Sequence, residues 1–176
     1  ALAWLGKAQQ QLGRREQSGR SWLRAVQLEP VNFMALEGLA ELQMQQRDFA
    51  GALARLQPVE KESGLTSTTG FLLQRLYGLV DQPEKSAEWK QRTETLRRLE
   101  DARVRMEQVI VNSPDTMWAQ VFQAWYLAEQ NNREQAKVLL YPFVKEDAEE
   151  FILMLWTSLR DGLPLPGLEH VPMEAF

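Results

Sequence analysis

Cysteine is absent from the 176 residues, and histidine occurs once, at His170. The first absence removes disulfides, thiolate catalysis and thiolate-bound zinc. The second removes any HExxH pair or histidine-rich metal site. No apolar run approaches the roughly 20 residues of a membrane-spanning helix, and glycine-rich phosphate loops are missing. Basic side chains are not in excess: 20 stand against 24 acidic ones, a net charge of -4. That balance argues against a dedicated nucleic-acid binder. It is uneven along the chain. Residues 112–176 carry 4 basic and 10 acidic groups, whereas residues 1–59 carry 7 basic and 5 acidic. Such polarity can orient a partner. The opening "ALAWLGKAQQQLG" reads as the middle of a helix, which points to a piece of a longer, bacterial-looking protein whose targeting signals are out of view.

Strand formers seldom cluster, while Ala, Leu, Gln, Glu and Arg dominate, and these favour helices. Apolar residues recur at three- and four-residue spacings, as in Leu36, Leu39, Ala40 and Met44, or Leu73, Leu76, Tyr77 and Val80. Breakers fall at Gly13, Pro30, Gln46-Arg47-Asp48, Gly64, Asp81-Gln82-Pro83, Pro114, Asn131-Asn132 and Gly162. They predict nine helices, near 1–12, 16–28, 32–45, 49–62, 67–80, 84–111, 115–130, 133–146 and 148–161.

A period underlies the pattern. Ser18, Ala52 and Ser86 are 34 residues apart, as are Leu5, Leu39 and Leu73, and as are Pro30 and Gly64. The chain resembles the tetratricopeptide repeat (TPR) family, a 34-residue helix-turn-helix unit. Leu5-Gly6, Ser18, Trp22, Ala25 and Pro30 fill that family's pattern in the first repeat. Leu39-Ala40, Ala52, Leu56, Val59 and Gly64 fill it in the second. The third keeps Leu73, Tyr77 and Ser86 but has Gln74 where a small residue belongs. The fourth has Ala124, Leu127, Ala136, Leu140 and Phe143, with Gln123 a departure. Small residues fit where paired helices cross closely. Pro30 and Pro114 cannot continue a helix and mark boundaries. The resemblance implies an all-α, right-handed α-solenoid of about four helix pairs plus a capping helix. Repeats run over about 1–32, 33–66, 67–116 and 117–150, the capping helix over 148–161, within a repeat domain of residues 1–162.

Three departures are expected to matter. Ser86 to Ala136 is 50 residues, 16 more than the period, with no breaker between. One elongated helix, about 84–111, accounts for it. Glu88–Arg92, Glu94–Arg98 and Asp101–Arg105 are spaced to pair along a solvated projection. A weak heptad also places Trp89, Leu96 and Ile110 beside Leu99 and Met106, interrupted by Arg92 and Arg103, so a protruding arm or dimer contact is the alternative. Pro58 and Pro142 fall at equivalent places inside helices and should bend them. Last, the Pro-rich tail 163–176 should lie extended over an apolar surface, Leu163, Leu165, Leu168, Val171, Met173 and Phe176 facing it.

The search for chemistry ends at binding. Glu146-Asp147-Ala148-Glu149-Glu150 reads as an acidic helix start, favourable against the helix dipole, and not as a cation site. No catalytic, cofactor or metal residues are expected, and the chain is not read as an enzyme. In the resembling family the first helix of each pair lines a concave face. By alignment that face holds Glu41, Met44, Phe71, Arg75, Trp118, Val121 and Trp125, and exposed aromatic anchors often carry binding energy. The competing reading is that the aromatic stripe is core, covered by the last helix or the tail. The family's carboxylate clamp, Lys and Asn at set positions, is absent: Ala3, Glu37, Phe71 and Val121 stand at one, Lys7, Glu41, Arg75 and Trp125 at the other. The expected function is a protein–protein interaction scaffold or accessory domain with a protein or peptide partner and no nucleic acid. The rivals are an oligomerising spacer and a non-catalytic domain attached to an upstream enzyme.

Overall fold

The computed structural model describes residues 1–62 and 64–174. Helix α1 spans Leu2–Gln11, α2 Arg15–Leu28, α3 Phe33–Gln45, α4 Phe49–Leu56 and α5 Ser67–Leu79. Helix α6 spans Pro83–Asn112, α7 Met117–Glu129, α8 Arg133–Leu140 and α9 Glu150–Asp161. No strand occurs among the described residues. The architecture is all-α and built from antiparallel helix pairs.

The turns inside the pairs repeat at the level of single hydrogen bonds. Gly13, Arg47, Asp81 and Asn131 each adopt a left-handed conformation, with φ of 60–73°. The next residue's N–H then closes back on the preceding helix: Arg14 to the Gln9 carbonyl, Asp48 to Gln43, Gln82 to Tyr77, Asn132 to Leu127, at 2.8–2.9 Å. This is the closure that satisfies orphan carbonyls at a helix end. These four residues are spaced by 34, 34 and 50. The backbone thus carries the period, and the 16-residue excess, independently of side-chain type. Opposite ends are capped by side chains. Asn32, Asp48, Thr66 and Thr116 accept from the N–H three residues on. Pro30 and Pro114 sit in like turns, where Asn32 N–H bonds the Glu29 carbonyl and Thr116 N–H bonds that of Ser113.

Helices expected over 49–62 and 133–146 are shorter. The α-helix ends at Leu56 and Leu140, and a 3₁₀ turn follows at Gln57–Val59 and Tyr141–Phe143. Pro58 and Pro142 therefore sit in a tightened exit, not in a bent helix. A proline has no N–H to give to the fourth residue back, so the chain leaves the α-helix there.

Contacts divide the chain into two units, Ala1–Arg97 and Arg98–Phe176. In the first, α1 to α5 pack in succession, and α1 on α3 and α3 on α5. Trp22 is its innermost aromatic beside α1 and α3. Its indole N–H donates to the Ala3 carbonyl at 3.1 Å, and a Cβ added at Gly6 or Gly38 would come within 2.5 Å of the ring. Only glycine lets the two helices close on the indole. Ser18 and Ala52 are likewise fully buried. At Gln74, where the small-residue pattern is broken, the second helix still approaches closely. Ser86 Oγ donates to the Gln74 carbonyl at 2.9 Å, and Gly70 and Gly78 lie against Thr93 and Ser86. Leu5, equivalent to buried Leu39 and Leu73, is exposed.

The long helix α6 is present, but its apolar seam is not a free surface. Trp89 is buried in the first unit's core with Leu96 against it, and Met106 is buried in the second unit's core with Val109 and Ile110 against it. Leu99, the remaining seam residue, is half-buried. The two seam-interrupting arginines turn to aromatic rings: Arg92 lies 4.5 Å from the Trp89 ring centroid, Arg103 5.6 Å from that of Trp125. Among the described residues, Glu88–Arg92, Glu94–Arg98 and Asp101–Arg105 do not close into ion pairs. Arg103 instead pairs with Glu129 at 2.9 Å.

In the second unit α7 packs on α8, and both pack on α9. The tail folds back on them. Leu165, Leu168 and Met173 pack on the core and Val171 is buried within it. A 3₁₀ turn at Leu168–His170 interrupts the extended path, in the five residues between Pro166 and Pro172. Leu163 is exposed, and Phe176 lies outside the described residues.

Candidate functional site

The sequence places seven residues on one binding face, and the structure separates them by unit. In the first unit, Glu41 and Met44 on α3 and Phe71 and Arg75 on α5 line one cleft of about 330 Å³. Gln45, Phe49, Thr68 and Leu72 complete it. Phe71 is 43% exposed although it is a large aromatic. Helices α3 and α5 pack directly, so residues one turn apart on each meet across the groove. Glu41 is held by Gln10, whose Nε2 donates to its carboxylate at 3.0 Å. One turn earlier, Glu37 accepts from the hydroxyls of Thr66 and Thr69. The α5 cap thereby anchors the α3 acid and fixes the groove wall. This network was not foreseen. Its one sequence signal is the Thr-x-x-Thr start of α5, legible as a cap and not as a ligand of Glu37. The cleft has an apolar floor, with an acid and a guanidinium at its rim.

Trp118, Val121 and Trp125 are core, which corrects the expectation of an open aromatic stripe. They are 7%, 0% and 5% exposed. Phe151, Leu155 and Val171 from α9 and the tail belong to the same core. The Trp125 indole N–H donates to the Pro166 carbonyl at 3.1 Å. Arg133 fastens the cover, donating to the carbonyls of Ser158 and Leu163 at 2.9 and 3.0 Å.

A second, larger recess of about 670 Å³ was not foreseen. It lies in the second unit, lined by Ile110, Leu127, Val138, Leu139 and Pro142 with Gln120, Gln123, Gln130, Gln135 and Tyr126. Burial, and next the Glu107 carboxylate, push the Tyr126 phenol up to about 12. An unfolded tyrosine ionises near pH 10. Between about pH 10 and 12 the folded chain therefore holds a proton that the unfolded chain has lost, so stability falls as pH rises through this window. Tyr126→Phe should flatten that fall in urea titrations at successive pH values. An unchanged slope in the variant would remove Tyr126 as its source.

Among the described residues no helix is long and apolar enough to cross a membrane, and no cluster of three or more acidic or imidazole side chains is placed to hold a metal ion. No family model matches the chain, and no curated protein does. Among solved structures, a thermophilic TPR protein of Thermus thermophilus is similar over 92% of this chain and 80% of its own, at 19% identity and a TM-score of 0.40.

Proposed function

We propose that this chain is a tetratricopeptide-like repeat module that binds a segment of another protein in the α3–α5 cleft. The observation that carries the reading is Phe71, a large aromatic left exposed on a groove whose acid, Glu41, is already fixed by a neighbour. A pre-ordered groove loses little entropy on binding. An apolar floor with charged rims suits a short peptide carrying one buried apolar side chain and a flanking acid for Arg75. The 34-residue spacing of the left-handed turns supports the repeat assignment.

Selection of displayed peptides against the chain, counter-selected with Phe71→Ala, tests it. Enriched peptides should carry the apolar–acidic pattern. They should lose about tenfold or more in affinity to Phe71→Ala and to Arg75→Glu, each loss worth at least about 1.4 kcal/mol. Peptides that bind the variants as well as the parent, or no enrichment, would overturn the assignment.

A further inference from the structure

The second unit's recess is built from residues that depart from the repeat. The turns at Arg47 and Asn131 set the register between the second and fourth pairs. In that register Gln120 and Gln123 on α7 stand where α3 has Leu36 and Leu39, which are core at 5% and 6% exposure. Leu127 on α7 and Leu139 on α8 stand where Gln43 and Arg55 bridge α3 and α4, Arg55 Nε donating to the Gln43 carboxamide at 2.7 Å. Polarity is thus exchanged at four positions: two leucines give way to glutamines, and a glutamine and an arginine to leucines. The second pair bridges this place with its own side chains, and the fourth leaves a recess of about 670 Å³.

The recess is uncharged. None of its ten lining residues is acidic or basic, in a chain where charged residues make up 25%. An ionic ligand finds no counter-charge there, and carboxamides take its place. Gln135 is engaged with Asn132 at 2.6 Å. Among the described residues no hydrogen bond engages the side chains of Gln120, Gln123 and Gln130. Each offers a carbonyl acceptor and an NH2 donor, the complement of a peptide group's N–H and C=O. Gln120 and Gln123 are half-buried, one turn apart on α7, beside an apolar floor of Ile110, Leu127 and Leu139.

We infer that this recess binds an uncharged, extended segment of another protein, with Gln120 and Gln123 hydrogen-bonding its backbone and an apolar side chain seated on Leu127 and Leu139. A helix arrives with its backbone bonds already made and has no use for free carboxamides. An extended segment laid on an apolar floor must find partners for its N–H and C=O groups. Gln120 and Gln130 are separated by about 15 Å of helix, the length of about four or five extended residues at roughly 3.3 Å each. The chain's own extended stretch at 163–167 is committed elsewhere, with Leu165 on the core and the Pro166 carbonyl held by Trp125. The segment is therefore another protein's.

Peptide selection on the full chain carrying Phe71→Ala, which removes the α3–α5 cleft from the readout, tests this. Displayed peptides are counter-selected on the same chain with Val138→Arg added. That change is made at a recess side chain 77% exposed, so the melt should not fall. Enriched sequences should share a short uncharged stretch with one apolar residue. Synthetic copies should lose about tenfold or more in affinity to Val138→Arg and to Gln123→Leu, which is similar in size and lacks the carboxamide. N-methylation of the peptide's backbone nitrogens should weaken binding by a similar factor, because it removes donors and leaves the side chains. In amide NMR spectra the side-chain NH2 signals of Gln120 and Gln123 should move on binding. Charged sequences, helically spaced apolar residues indifferent to N-methylation, or no enrichment would overturn the inference. So would a doubling of mass in sedimentation that Val138→Arg abolishes, which would place a second copy in the recess.

Discussion

Trp22→Ala should lower the stability of the first unit by about 3–5 kcal/mol, the range for truncating a large buried aromatic. The side chain is 1% exposed. It fills the space that Gly6 and Gly38 leave open on α1 and α3, and its N–H closes on the Ala3 carbonyl. Truncation removes one body that three helices share. Gly38→Val is the complementary change. Its branched Cβ meets the indole where no rotamer avoids it, and overpacking of this kind costs about 1–3 kcal/mol. Urea unfolding monitored by circular dichroism reads both, and the midpoint should fall with little change of slope. A cost below about 1 kcal/mol for Trp22→Ala would mean that the indole is not what joins α1, α2 and α3.

How much of the fold was legible in the sequence depends on how local each cause is. Small residues at Ser18, Ala52 and Ala136 report close helix crossings directly, and all three are fully buried. Gly13 announces a left-handed turn, but Arg47 and Asp81 adopt the same conformation without a residue type that demands it. There the neighbouring helices impose the turn against a strain of roughly 1 kcal/mol. The helix ends at Leu56 and Leu140 were missed because a proline inside an apolar period reads as a kink. Whether the helix resumes beyond it depends on the elements packed around that point.

Burial was the least legible property. Leu5, Leu39 and Leu73 occupy one repeat position, yet the first is exposed and the others are buried, Leu39 among α1 and α2 residues and Leu73 among those of α3 and α4. Phe71 and Val121 are aligned with each other, yet one is on a cleft and the other in a core. The difference lies in α9 and the tail, which no local pattern around Val121 records. Arg92 and Arg103 show the same limit for charge. They interrupt an apolar seam in sequence, and in space they lie over Trp89 and Trp125 with their charge at the surface.

Deletion of residues 163–176 should destabilise the second unit and open its core. Trp125 would lose the Pro166 carbonyl that accepts its indole N–H, and Arg133 would lose one of its two carbonyl partners, that of Leu163. The tail's Leu165, Leu168, Val171 and Met173 cover Trp125 and its neighbours in one cluster. Burial equal to about three leucine-sized side chains is worth roughly 4–9 kcal/mol before ordering. Ordering the segment offsets much of this. Proline lowers that cost, because Pro164, Pro166 and Pro172 restrict the free chain in advance. A net loss on the order of 2 kcal/mol would lower the melting temperature by roughly 10 °C for a unit of this size. Val171→Asp is the one-residue form of the experiment. It places a carboxylate in the core position that Val171 fills, at 5% exposure, and should release the tail without shortening the chain. Both variants should bind an apolar dye and shift tryptophan emission to the red as Trp118 and Trp125 meet water. A tail that proteases remove with no change in the melt would show that α9 alone closes the core, and Trp125 would then keep its blue emission after cleavage.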